Sequence, residues 1–117
     1  MMRYMLLVYT SEEGAERMKP EEYGQVGATH MQLMKEATEK GILQSAAPLQ
    51  PTRTATTVRT QNGRPLVVDG PFAETKEQLA GYYILECANL DEAIEWAARI
   101  PTTCGGAEGC VEIRPLR

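Results

Sequence analysis

The chain has 117 residues, 43% of them hydrophobic and 24% charged, with a formal charge of -4. That length fits one domain, residues 1–117, burying roughly 65% of the surface its unfolded chain exposes, and the composition is that of a globular chain rather than a disordered one. A net negative charge with no run of Lys and Arg gives no pull toward phosphate backbones, which argues against a direct nucleic-acid ligand.

The opening stretch, MMRYMLLVYT, carries one positive charge and a short apolar run from Tyr4 to Tyr9. A signal peptide needs a longer apolar region with a cleavage site, and a membrane span needs about 20 apolar residues. The expectation is a cytoplasmic protein that does not engage a membrane, and its three cysteines are expected as free thiols.

Arg3–Tyr9 reads as a strand, with Met5, Leu7 and Tyr9 on one side and Tyr4, Leu6 and Val8 on the other, both apolar. SEEGAERMK, residues 11–19, is polar and contains Gly14, which predicts a loop leading to Pro20. Proline suits the first turn of a helix, where its missing N–H has no intrahelical partner. From Glu21 to Lys40, the positions Tyr23, Val26, His30, Leu33, Met34 and Ala37 form one stripe at about 100° per residue. Gly41 supplies the stop.

Ile42–Ala47 reads as a second strand, ended by Pro48 and Pro51. Two further strands, Arg53–Thr60 and Arg64–Val68, flank Asn62-Gly63. That dipeptide predicts a type I′ hairpin, whose two central residues both need positive φ. Leu79–Cys87 is the next strand, with Leu79, Tyr83, Leu85 and Cys87 facing one way and Ala80, Tyr82 and Ile84 the other. Asn89 caps a second helix, with Glu92 placed to reach back. Leu90, Ala93, Ile94, Ala97 and Ile100 form its stripe and Pro101 ends it. Residues 102–109 are loop, and Cys110–Arg114 is a last short strand.

This order predicts an α+β fold: a ferredoxin-like split βαβ plan with an inserted β-hairpin and both helices on one face of a largely antiparallel sheet. Two helices cover one face only, yet the strands at 3–9 and 79–87 are apolar on both. The economical cover for the second face is another copy of the chain, paired sheet to sheet. Long side chains or the 43–54 segment folding over that face within one chain are the alternative.

The string Asp69-Gly70-Pro71-Phe72, followed by AETKE and by Gly81-Tyr82-Tyr83, resembles the DGPF branch of the YCII-related family. The likeness extends to LQPTRTATTVR upstream and to DEAIEWAARIP and VEIRP downstream. It implies a ferredoxin-like domain paired as a dimeric α/β barrel, of largely undefined activity. Some relatives occur beside or fused to sigma-factor-type regulators, which implies an accessory role. The family's proposed active-site His and Asp correspond to His30 and to Glu39, where an Asp would stand. On a continuous helix, nine residues at about 100° each put Glu39 on the side opposite His30.

His30 is the only histidine. It is either a base facing a cleft between helix and sheet, or a buried imidazole bonded to a carbonyl or a tyrosine. Asp69 either fixes the turn before Gly70-Pro71 or enters the same cleft to orient the imidazole. Tyr23, Tyr82 and Tyr83 are the candidate walls of such a cleft. Lys76, between Glu74 and Glu77, is either part of a solvated loop or a lid residue that holds an anion. Arg59 and Arg53 either grip a carboxylate or phosphate or point into solvent. Cys104 and Cys110 lack zinc-knuckle spacing and one histidine completes no tetrad, so no metal is expected; no phosphate loop marks a cofactor either. Two functions follow as expectations: binding of a small polar molecule in a cleft, with His30 as acid or base assisted by Asp69 or Glu39, or a non-enzymatic regulatory or protein-interaction module. Monooxygenase-like oxygen chemistry without a cofactor rests on fold analogy alone.

Overall fold

A computed structural model describes all residues, 1–117. The elements in chain order are β1 (Met2–Thr10), α1 (Glu12–Glu16), α2 (Pro20–Glu39), β2 (Leu43–Pro48), β3 (Thr56–Gln61), β4 (Arg64–Asp69), β5 (Gln78–Cys87), α3 (Leu90–Ala97) and β6 (Cys110–Pro115). Four strands form one antiparallel sheet in the order β2-β5-β1-β6, and β3 and β4 form a separate two-stranded sheet. The central pair, β1 and β5, comes from distant parts of the chain with a helix following each. This is the split arrangement the sequence predicts, and it is compatible with a ferredoxin-like fold. No helix is long and apolar enough to cross a membrane.

Alternation along β1 and β5 sends Tyr4, Leu6, Val8, Tyr83, Leu85 and Cys87 to one side, where they are buried. Leu33 and Ala37 of α2 and Ala93, Trp96 and Ile100 from the α3 region close this core. The other side of the same strands, with Met5, Leu7, Tyr9, Tyr82 and Ile84, is only half-buried. A register shift between Val8 and Tyr9 pairs Leu79 with Tyr9, which takes Leu79 out of the expected alternation with Tyr83.

Three local expectations change. Residues 12–16 are helical, because the Ser11 side chain accepts from the Gly14 backbone N–H at 2.9 Å and Glu12 and Glu13 occupy the first turn, where the helix dipole favours acids. Gly14 is there for contact rather than for looseness: a Cβ on it would stand 2.2 Å from the Cys104 carbonyl oxygen. Residues 52–54 form a 3-10 turn, so the third strand begins at Thr56 rather than Arg53. On α3 the buried residues are Ala93 and Trp96, while Leu90 and Ile94 are about half exposed. The indole takes the core position, with Lys40 and Arg99 over its ring at 5.6 and 5.1 Å.

The hairpin turn forms as the sequence requires, with Asn62 at φ 51° and Gly63 at φ 75°. Its strands are almost wholly exposed.

Candidate functional site

The first half of α2 stands over the core side of the sheet and leaves a cavity of about 330 Å³. Val26, Gly27, His30 and Met34 come from the helix, and Gly81 and Tyr83 from β5. Gly27 contributes no side chain to fill the space. Gly81 lies in the floor, where a Cβ would meet the Ala47 carbonyl oxygen at 2.8 Å and the Pro48 Cα at 3.2 Å. Glycine therefore lets the end of β2 approach β5 and shapes the wall.

Nine of the fifteen lining residues are hydrophobic, and none is Asp, Glu, Lys or Arg. Polar side chains come from a small group that includes His30, Tyr83 and Thr10. The Nδ1 of His30 lies 2.5 Å from the Tyr83 hydroxyl, and the two rings stack with centroids 5.9 Å apart at 17°. The imidazole is both the tyrosine-bonded ring and the cavity-facing ring that the sequence offered as alternatives.

Burial lowers the His30 pKa from its ordinary value and pushes that of Tyr83 up to about 12, each by penalising the charged form. The pair is thus a neutral imidazole and a neutral phenol near pH 7. Its second ring nitrogen, Nε2, has no protein partner, and the chain leaves no buried side-chain polar atom unsatisfied, so Nε2 keeps access to solvent space. When the phenol donates to Nδ1, Nε2 carries the proton and can donate. When Nδ1 donates to the phenol, Nε2 is a free base.

The model of the YCII-related domain matches residues 2–117. The chain belongs to the YCII-related family. An uncharacterized protein of Rhizobium meliloti (strain 1021) is 39% identical to it over 115 residues, which cover 98% of this chain and 92% of that relative.

In this YCII-related chain the other residues singled out by the sequence do not gather around His30. Glu39 is exposed at the end of α2. Asp69 is exposed at the end of β4, paired through the backbone with Thr56. Neither lines the cavity. Lys76 and Arg59 are exposed and outside it as well. Tyr82 is among the lining residues, but its ring lies on the opposite side of the sheet from Tyr83, its hydroxyl 3.3 Å from that of Ser45; Tyr23 turns away as well, its hydroxyl donating to the Ala15 carbonyl at 2.7 Å and tying α2 to α1. Cys104 also lines the cavity and is buried, whereas Cys110 is exposed; both are free thiols, as is Cys87. The sequence places Met34 on the α2 stripe and Gly81 in the family string but marks none of Gly27, Gly81 and Met34 as a site residue; Gly24 and Gly27, which weaken the early turns of α2, were the available signal.

Proposed function

We propose that this YCII-related protein binds a small, uncharged, largely apolar molecule in the His30 cavity and that His30, held by its hydrogen bond to Tyr83, donates a proton to one polar group of that molecule or removes one from it. The observation that carries this is the His30–Tyr83 hydrogen bond inside a cavity with no formally charged lining. A carboxylate or phosphate would be buried there without a counter-charge, which costs several kcal/mol on the order of an unpaired buried ion. The polar ligand expected from sequence narrows accordingly to an apolar body with a single hydrogen-bonding group. Asp69, Glu39, Lys76 and Arg59 have no direct contact with the ligand within one chain on this reading.

The Asp69-Gly70-Pro71-Phe72 string supports placing the chain in the DGPF branch, and the half-buried outer sheet face supports pairing as a two-fold dimer. That face has an apolar centre at Met5, Leu7 and Ile84, and its charges balance. Arg3 stands opposite Glu86, and Glu112 lies 3.4 Å from Arg114. Such a face can meet its own copy without like-charge repulsion.

The test is a thermal-shift and NMR screen with matched neutral and anionic compounds on wild type, His30→Gln and Tyr83→Phe. Neutral apolar ligands should raise the melting temperature and shift Val26 and Met34 resonances in wild type, and bind more weakly to His30→Gln. Preferential binding of anions, or equal binding to wild type and His30→Gln, would show the reading to be wrong. The pairing is tested separately by Leu7→Lys, which should lower the sedimenting mass.

A further inference from the structure

A single copy of this chain is more open than its size requires. Its radius of gyration is 15.9 Å, against about 13 Å for a compact domain of this length. Its accessible surface is 8204 Å², where about 6,300 Å² is usual for a compact monomer of this mass. The surplus exceeds the roughly 800 Å² per partner that a standard stable interface buries.

The β3–β4 hairpin is an almost wholly exposed element of this open shape. Val58 and Val67 face each other across one side of it and are 62% and 64% exposed. Val68 and Leu66 lie on the other side, also exposed. An isolated two-stranded sheet is marginal in water, and an apolar surface on both of its sides compounds the cost. Charge adds a second, independent asymmetry. The hairpin and the turn before it, residues 52–69, hold Arg53, Arg59 and Arg64 against one carboxylate, Asp69, in a chain whose formal charge is -4, so the rest of the molecule is more acidic still. None of these three arginines forms an ion pair within its own chain. Carboxylates are instead exposed on the helices, among them Glu13, Glu16, Glu21 and Glu22.

We infer that the β3–β4 hairpin is an arm that docks on a second copy of this chain, its valines covering apolar surface of the partner and its arginines meeting the partner's carboxylates. A copy of this chain supplies both kinds of surface, and the surplus is large enough for a standard interface. A phosphate backbone offers no counterpart to valines on both sides of the arm, and the acidic body would be repelled by it. The inference rests on the two-fold pairing proposed above and is independent of the cavity's ligand.

The test combines sedimentation with mixed-isotope cross-linking. Wild type should be a dimer that weakens with salt. Arg59→Glu/Arg64→Glu should raise its dissociation constant by about tenfold or more, the result of replacing two attractive contacts by repulsion. Val58→Ser/Val67→Ser, on an exposed element, should weaken it with less change in salt dependence. A photo-cross-linking residue at position 67 should yield heavy–light peptides when labelled and unlabelled chains are mixed. A wild-type dimer with unaltered affinity in both variants and only same-chain cross-links overturns the arm and leaves the sheet pairing standing. A monomeric wild type overturns both, and so does a monomer that takes up a short DNA duplex through the hairpin.

Discussion

The Glu12 carboxylate holds both polar groups of Thr52: it accepts from the Thr52 backbone N–H at 2.8 Å and from the hydroxyl at 2.6 Å. The Glu12 backbone N–H in turn donates to the Gln78 side-chain oxygen at 2.8 Å. One residue of the short helix α1 thereby links the root of the hairpin to the start of β5. Replacing Glu12 with Ala removes two hydrogen bonds to a charged acceptor. We expect a loss of about 1 to 2 kcal/mol in denaturant unfolding and faster hydrogen exchange in residues 52–70, with the core strands unchanged. Uniformly faster exchange across the sheet would contradict this local role.

His30 titrates below its ordinary value because burial disfavours the imidazolium. The folded chain therefore holds fewer protons at this site than the unfolded chain once the pH falls below about 6.5. Stability linked to His30 is fully present above that pH and is lost as the pH falls through the folded value. His30→Gln lacks this loss, so the difference in unfolding free energy between the two proteins should move in favour of the variant on acidification. Parallel curves through that window would argue against the buried ring.

Tyr83 is the opposite case, a phenol whose folded pKa is pushed up to about 12. Its contribution is fully present below the unfolded value of about 10 and is lost as the pH rises through the folded value. In an ultraviolet titration of the folded protein, the step near that high value should vanish in Tyr83→Phe. The same variant should shift the nitrogen resonances of the His30 ring, because Nδ1 loses its hydrogen-bond partner; unchanged ring resonances would argue against the pair.

Gly81→Ala sets a new Cβ against the backbone of Ala47 and Pro48, which has no flexible end to swing aside. The strain should cost about 1 to 3 kcal/mol. It should also push β2 away from β5, so ligand affinity should fall along with stability. Gly27→Ala provides the contrast: nothing stands within 4 Å of a Cβ there, so helix propensity favours the alanine by about 1 kcal/mol while its methyl enters the cavity. A more stable protein with weaker ligand binding is the expected result, measured by thermal unfolding and by titration with any compound from the neutral screen.

The strands, the two main helices, the Asn62-Gly63 turn and the Asn89 cap could all be read from residues within a turn or two of one another, because periodicity and capping are local. The apolar second face of the sheet was legible for the same reason, since alternation in β1 and β5 is a property of each strand alone. The small helix after Ser11 was missed although its Ser-Glu-Glu start is a capping signal. Its glycine looks like loop composition until the close contact with the Cys104 carbonyl is known.

What the tertiary structure decided was which of the chemically capable side chains meet. Tyr83 reaches His30 from 53 residues away and Thr52 reaches Glu12 from 40. By contrast, Asp69 and Arg59 leave on the hairpin and Tyr23 bonds outward to Ala15. The stripe on α2 fixed the direction in which His30 points, but the partner it finds depends on strand order, on the bulge at Val8/Tyr9 and on the close approach that Gly81 permits. Those are consequences of packing distant segments into one core, and no local pattern in the chain encodes them.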